Sequence, residues 1–415
     1  MKPSVLRLVA LAGVASVLLV GYKLRSREWE VSINVAEIER PAQAARSTAT
    51  AQNSFGLCLL RRELAQHSHE NVLVSPLSLW QCGAMAQLGA GGAAKSGLRR
   101  ALMIPAQAQD AQLNAANLAL GSALKAQNGL THNVANELSA GQKFPLVAGF
   151  TQQCQQSFGA EAANVDFADA ATVQHINDWF LTKTGGKITD VVQEGDLGES
   201  TALCLTNAVY FHGKWDTTFD ASSTRDHVFH CADGSQSQVP LMALDDLESN
   251  YLFGPAYEGV RLPYRNSTCA LWALLPREGK TPASVLQNLD LAQLRDQRSA
   301  TTISLQLPRF KMDFAAELTN DLKAMGAAPA FAANADFSPM LGRPGAITQL
   351  RHKALIEVDE EGTTAVAATT NIVAAAGNTT TSVNLIFDRP FVIALVEEKS
   401  GAAIMLGVVN APQRF

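Results

Sequence analysis

Two short stretches carry the residue types that most often do chemistry in proteins. The first, GAGGAAKS at residues 89–96, nearly matches the phosphate-binding pattern GxxxxGK followed by Ser or Thr, with Ala94 in place of the second glycine. A phosphate loop follows a buried strand, whereas this stretch follows a segment that Ser75 and Pro76 open as a helix. We therefore interpret it as a glycine-rich helix end. A nucleotide-dependent enzyme is kept only as a contrasting alternative.

The second stretch, HVFHC at residues 227–231, places two histidines and a cysteine close together. On a strand, His227 and His230 point to opposite faces, while Zn²⁺ needs about four converging ligands. The chain also contains neither a GxSxG elbow nor an HExxH helix. We therefore predict no metal, no cofactor and no catalytic residue, and the case for a hydrolase is weak.

The composition indicates a globular protein with a sizeable core. The chain has 415 residues, of which 47% are hydrophobic and 17% are charged. Its formal net charge is -5, and it has neither a basic arm nor a basic stripe, so binding to nucleic acid is not expected. The six cysteines are widely spaced and include no CxxC pair. Buried single cysteines are favoured for them, and disulfides stay open.

The order of the predicted elements indicates the fold class. From about residue 52 to 190 the patterns are mainly helical, and from about 200 onwards β-branched and aromatic runs predict strands. A second helical patch, AELTNDLKAMG at residues 316–326, interrupts the strands. Helices first and strands later, without regular alternation, predict an α+β fold and not a doubly wound sheet.

The N-terminal region is predicted to lie outside the folded domain. Basic residues precede an apolar run, LVALAGVASVLLVG at residues 8–21, as in a secretory signal. No clean small-x-small site ends the run, so residues 1–21 are either a cleaved signal peptide or an uncleaved signal anchor. Residues 22–48 are predicted to be a flexible tether, and 49–415 the folded domain. An exported protein is expected, extracellular or periplasmic, or anchored to a membrane by this segment.

The stretch EEGTTAVAATTNIVAAAG, residues 360–377, has no apparent catalytic use. No charged residue and no proline occurs between Gly362 and Phe387. That suits a strand between other strands, because a proline breaks the ladder and a buried charge costs several kcal/mol. The later AAAGNTTTS is typical of an exposed loop. Three interpretations are open: a segment built for two states, a low-complexity surface loop, or a buried strand followed by a long turn.

IEVDEEGTTAVAATT resembles the hinge of the serpins, and FDRPFVIALVEEKSGAAIMLGVVNAP resembles their C-terminal signature. Four further blocks resemble the family in the family's order: NVLVSPLSLWQCGAMAQLGAGG, INDWFLTKTGGKITDVV, LTNAVYFHGKWDTTFD and LPRFKMDFAAELTNDLKAMGAAPAFAANADFS. The resemblance covers about residue 50 to the end. It implies an α+β serpin fold, with helices packed on a large central mixed sheet, smaller sheets, and an exposed reactive-centre loop at about 360–385.

The resemblance also implies a protease inhibitor and not an enzyme. A serpin is attacked as a substrate, forms an acyl-enzyme, and traps the protease when its loop inserts into the central sheet. The matching hinge here is an acid followed by small residues: Glu360, Gly362, Thr363, Ala365, Ala367, Ala368 and Thr369. Because none of the small residues would stall insertion, an inhibitor is favoured. A non-inhibitory serpin that acts as a binding module or chaperone is the alternative.

By position, Ser75, Ser78, Asn207 and His352 match the serpin shutter, the polar cluster where the sheet opens. Their alternative roles are a helix cap, a helix serine, and core amide and imidazole groups. Because the family places these four residues together in space, the resemblance favours the shutter role.

Family spacing, counted forward from the hinge, puts the scissile bond between Ala376 and Gly377. Counting backward from the C-terminal signature lands near Thr379, so the window runs from Val373 to Thr379. The small residues there suit an elastase-like or subtilisin-like serine protease, and a cysteine protease stays open. No heparin-like polyanion is expected, since NAANLALGSALKAQN offers only Lys125. A monomer is expected.

Overall fold

The computed structural model describes residues 35–125, 127, 129–297, 299–363 and 383–415. The predicted signal segment, residues 1–21, lies outside them. Helix α1 spans Val35–Gln66, so residues 35–48, predicted as part of the tether, are helical in the structure. The alanine-rich composition that suggested a tether also has high helix propensity, and the run leads directly into the buried part of α1. In the described part of the chain, no helix combines the length and apolarity needed to cross a membrane.

The remaining helices are short to medium in length. They are α2 (Pro76–Leu88), α3 (Gly92–Ala101), α4 (Asp110–Lys125), α5 (Ala148–Phe158), α6 (Ala171–Lys183), α7 (Pro282–Gln287), α8 (Leu291–Asp296), α9 (Thr319–Leu322) and α10 (Ser338–Leu341). Helix α2 begins at Pro76, and the Ser75 side chain accepts a hydrogen bond from the Ser78 N–H as its N-cap.

The strands are β1 (Val72–Val74), β2 (Leu130–Gly141), β3 (Glu161–Val165), β4 (Leu203–Lys214), β5 (Arg225–His230), β6 (Gln236–Phe253), β7 (Tyr257–Pro263), β8 (Cys269–Pro276), β9 (Ala300–Pro308), β10 (Phe310–Glu317), β11 (Ile347–Val358), β12 (Gly362–Thr363), β13 (Val383–Ile386), β14 (Phe391–Glu397) and β15 (Ala402–Val409). Six of them form a mixed sheet in the order β10-β11-β4-β2-β3, with β12 beside β4. The other nine form a second sheet. The α+β prediction is confirmed.

Two predicted features of the first half of the chain have different outcomes. The stretch GAGGAAKS follows α2, which ends at a Gly89 cap, and runs into α3, so its interpretation as a helix end is confirmed. A Cβ on Gly89 would lie 2.2 Å from the Cε atom of Met340, which explains a glycine there. Strands β2 and β3 were not predicted, because the Asn, Glu and Ser side chains of β2 lower its strand propensity.

The side chains of the six-stranded sheet alternate between two apolar layers. On β4, Leu205 and Val209 belong to the main core with α1 and α2. Ala208 and Tyr210 face a smaller cluster that includes Ile176 and Phe180 of α6. The sheet is therefore covered on both faces, which explains why β4 is a nearly continuous buried run. All six cysteines are free, and four of them are buried.

Candidate functional site: the seam between two central strands

Strands β4 and β11 lie side by side and parallel at the centre of the mixed sheet. They pair from Ile347 opposite Leu203 up to Leu355 opposite Tyr210. Beyond this point β4 continues to Lys214 without β11. Strand β12 pairs there instead, antiparallel to β4, with Gly362 opposite Lys214 and Thr363 opposite Gly213. The chain after Val358 therefore turns back at the upper end of the seam.

Backbone and side-chain hydrogen bonds hold this turn in place. The Trp215 N–H donates to the Glu361 carbonyl at 2.9 Å, and the Phe219 N–H donates to the Glu360 carbonyl at 2.8 Å. The Thr224 hydroxyl donates to Glu360 Oε1 at 2.8 Å. The Trp215 indole N–H donates to the Asp359 carbonyl at 2.9 Å. The predicted hinge acid Glu360 therefore lies at a fixed position beside the end of β4.

The first two hinge residues fit closely against β4. A Cβ on Gly362 would lie 2.0 Å from the Gly213 carbonyl oxygen, so the glycine allows this close backbone approach. Thr363 is fully buried, and its Oγ1 lies 2.7 Å from the Tyr264 hydroxyl. The Tyr264 ring stacks on Trp215 at 4.7 Å between centroids. Sequence reasoning missed Tyr264, because only the tertiary structure brings β7's end to the hinge.

The four predicted shutter residues meet below the hinge. The Ser75 N–H donates to His352 Nε2 at 3.3 Å, and His352 Nδ1 lies 2.6 Å from Asn207 Oδ1. The Asn207 amide donates to Ser78 Oγ and to Asn136 Oδ1, the latter at 2.6 Å. All five residues are buried. Asn136, which lies opposite Asn207 on β2, was not predicted from the sequence.

The hydrogen bonds and the burial of His352 indicate one protonation state. Nε2 accepts a hydrogen bond from Ser75, so Nδ1 carries the proton and donates to Asn207. Complete burial lowers the pKa of His352 to about 3, so the imidazole is neutral at physiological pH. A row of neutral groups, Asn136, Asn207 and His352, therefore crosses β2, β4 and β11.

The rest of the predicted site lies outside the described residues. This applies to the later hinge residues Ala365, Ala367, Ala368 and Thr369. It also applies to the predicted scissile bond, Ala376-Gly377, and to its window from Val373 to Thr379. Of HVFHC, His227 and His230 lie on strand β5. The described part of the chain holds no group of three or more metal-capable side chains.

Comparison with known proteins agrees with this architecture. The family model described as serpin (serine protease inhibitor) matches residues 50–412. The chain belongs to the serpin family. It is 29% identical over 384 residues to plasminogen activator inhibitor 1 of Bos taurus, covering 90% of this chain and 94% of the relative. To serine protease inhibitor 42Dd of Drosophila melanogaster it is 27% identical over 347 residues, covering 81% of this chain and 92% of that protein.

Solved serpin structures share the fold. Serpin48 of Tenebrio molitor superimposes with a TM-score of 0.80 at 26% identity, covering 91% of this chain and 99% of that one. Human thyroxine-binding globulin, solved with bound thyroxine, has a TM-score of 0.81 at 22% identity, covering 89% of this chain and all of that one. The serpin assignment and the serpin fold are confirmed, and the two relatives named above are protease inhibitors and not enzymes.

The neutral state of His352 predicts a loss of stability in acid. Its pKa is about 3 in the folded protein and 6.5 ordinarily, so its contribution is complete above pH 6.5 and falls as the pH drops towards 3. Between pH 7 and pH 5 this loss should be about 2 kcal/mol in the free energy of unfolding. Urea unfolding of the wild type and His352→Gln should show a shallower acid slope in the variant. The exposed His175→Gln is the control, and equal slopes for all three proteins would contradict the assignment.

The contact between Gly362 and Gly213 predicts that the hinge tolerates no larger side chain. Gly362→Ala should lower stability by about 1–3 kcal/mol, because the added Cβ forces the hinge away from β4. Thermal unfolding and limited proteolysis near residue 362 measure this. Gly198→Ala is a matched control, since a Cβ there meets no atom within 4 Å, and it should change stability by less than about 0.5 kcal/mol. An equal effect of both substitutions would refute the close-contact explanation.

Proposed function

We propose that this serpin inhibits its target protease as a suicide substrate. The protease's nucleophile attacks the reactive-centre loop and forms an acyl-enzyme, and the loop then inserts between β4 and β11 before hydrolysis is complete. The observation that carries the proposal is β12. Its two residues already pair antiparallel with β4 at the upper end of the seam.

Continuing the β12 register along β4 supports insertion without a shift of pairing. Ala365 would come opposite Phe211, Ala367 opposite Val209, and Thr369 opposite Asn207. Those positions on β4 are buried and apolar except for Asn207. The incoming methyl groups therefore need little space, and the one hydroxyl on this face would arrive beside the polar row. The segment of β11 that now pairs with β4 would have to move away first.

The neutral polar row supports opening of the seam at moderate cost. His352 belongs to β11 and Asn207 to β4, so their hydrogen bond crosses the seam and must break when a strand enters. Breaking it separates no buried charges, and both groups could re-pair with the inserted strand. This agrees with a shutter role for Ser75, Ser78, Asn207 and His352.

The target class follows from the residues offered for cleavage. Every residue in the window from Val373 to Thr379 is small or β-branched or is Asn378, and none is basic or aromatic. These residues suit a protease with a small apolar primary specificity pocket, such as an elastase-like or subtilisin-like serine protease. A cysteine protease of the same preference is the second candidate. The N-terminal apolar run supports action outside the cytoplasm, secreted or membrane-anchored.

The test is the formation of a covalent complex. The purified protein, incubated with an elastase-like serine protease, should give an SDS-stable complex with one equivalent of inactivated protease. The released C-terminal fragment should begin at Gly377. Quantitative cleavage in the loop with full retention of protease activity would favour the non-inhibitory alternative for that protease. Human thyroxine-binding globulin, solved with bound thyroxine, has the same fold, so the fold is also compatible with a binding module.

A pair of hinge variants tests insertion separately from recognition. In an inserted strand that continues β12, alternation would put Ala367 on the same side as the buried Thr363, and Thr364 on the opposite side. Ala367→Arg should convert the inhibitor into a substrate that is cleaved without forming a complex, because a buried unpaired charge would stall insertion. Thr364→Glu should leave complex formation unchanged. Complex formation by Ala367→Arg at the wild-type yield would rule out insertion in this register.

A further inference from the structure

A second polar row crosses the same sheet on its opposite face. Glu317 lies opposite Arg351, Arg351 opposite Thr206, Thr206 opposite Glu137, and Glu137 opposite Glu161. These residues lie on β10, β11, β4, β2 and β3. In each strand, this residue is adjacent in sequence to the position at the level of the neutral row. Because side chains alternate between the two faces of a sheet, the second row faces α6. Unlike the first row, it contains titratable groups.

Glu137 is the incompletely paired member of this row. It is buried, with 6% of its surface exposed. The Ser139 hydroxyl donates to Glu137 Oε1 at 2.7 Å. In the described part of the chain, Glu137 Oε2 is buried without a hydrogen-bond partner, and so is the Thr206 hydroxyl directly across the β2–β4 pair. The Thr206 hydroxyl is near enough to favour the charged form of Glu137, although it does not reach hydrogen-bond geometry with Oε2.

Among the residues that the structure describes, the groups around Glu137 offer it no opposing charge. Glu161 on β3 carries the same charge. Arg351 on β11 already has partners. Its Nη2 lies 2.5 Å from Oδ1 of Asp196, a residue in the connection between α6 and β4, and its Nε donates to Gln349 Oε1 at 3.0 Å. Burial raises the pKa of the Cys204 thiol on β4 to about 12, so the thiol is neutral. The charged or titratable side chains of α6 are exposed: His175, Asp178 and Lys183.

We propose that Glu137 is a proton-controlled latch of the closed sheet. The protonated carboxyl donates from Oε2 to the Thr206 hydroxyl and ties β2 to β4, the strand that borders the seam. Loss of the proton leaves a buried carboxylate facing Glu161, and the Thr206 hydroxyl, which can then act as the donor, offsets only part of that cost. Opening the seam exposes the Thr206 position to water, which suits the ionised form. Rising pH therefore favours opening, and this consequence for loop insertion rests on the function proposed above.

The titration range of Glu137 lies near neutrality. Burial is the main cause that raises the pKa of Glu137 to about 7, against 4.5 ordinarily, and Glu161 adds to it. The folded-state pKa is above the unfolded value, so the contribution of Glu137 is complete below pH 4.5 and is lost as the pH rises through 7. Glu63, on α1, has a pKa raised to about 8 by burial and by Asp321, so it titrates in an overlapping range. The test must therefore compare variants at one position.

The experiment measures unfolding rates in urea, by tryptophan fluorescence, between pH 5.5 and 8.5. The ratio of the wild-type rate to the Glu137→Gln rate should rise about tenfold across this range, since the substituted amide cannot ionise and the contributions of Glu63 and His352 cancel. Glu161→Gln is the control, because Glu161 is exposed. Its unfolding rate should still increase relative to that of Glu137→Gln as the pH rises, as the wild-type rate does. A constant ratio for Glu137→Gln would overturn the proposal.

A direct titration covers the case in which Glu137→Gln does not fold. The ¹³C NMR signals of carboxyl-labelled glutamate should show two groups titrating near or above pH 7 in the wild type and one in Glu63→Gln. No such group in Glu63→Gln would overturn the latch. Neither measurement uses a protease, so failure to inhibit an elastase-like enzyme would leave both results standing, and a failed latch would leave the inhibitor proposal intact.

Discussion

The parallel pairing of β4 with β11 is the constraint on which the rest of the structure depends. A strand that runs antiparallel to β4, as β12 does, also runs antiparallel to β11. Inserting such a strand between them would replace one parallel ladder by two antiparallel ladders. Parallel pairs are slightly less stable per residue, and the insertion would add a further ladder of hydrogen bonds. The closed sheet therefore contains a seam whose proposed opening is favoured by strand direction alone.

The two polar rows give this seam different properties on its two faces. Towards α2, Asn136, Asn207 and His352 hold the strands through neutral hydrogen bonds, which can break and form again without moving a buried charge. Towards α6, Arg351 of β11 forms an ion pair with Asp196, which lies in the connection that leads into β4. Separating β11 from β4 would have to break the hydrogen bond between His352 and Asn207. The pair His352–Asn207 and the pair Arg351–Thr206 are consecutive along the two strands, so both polar rows cross the seam at the same level of the sheet.

Much of the fold was accessible from the sequence, and the site only in part. Strand β8 is an apolar run bounded by turn residues, and β11 contains ALIEV, which is rich in large aliphatic residues. Both strands could therefore be predicted from local sequence alone. Strand β2 was missed because Asn136, Glu137 and Ser139 are buried polar residues that mimic a loop composition. Which polar residues meet across strands depends on register, and register is a property of the assembled sheet. Only the family resemblance could therefore place Asn207 beside His352, and nothing in the sequence singled out Asn136 or Tyr264.

The arrangement of the hinge indicates where the barrier to the proposed insertion lies. Thr363 is already buried against Tyr264, and Gly362 is already in backbone contact with β4, so entry at the upper end has been completed in the closed sheet. Three positions further down β4 lies Tyr210, where Leu355 of β11 is still paired. Each later hinge residue adds only small side chains, while each pairing of β11 must first be broken. The free-energy barrier to the proposed insertion therefore depends on the separation of β11 from β4. Its height should be determined mainly by the polar rows at Asn207 and Thr206.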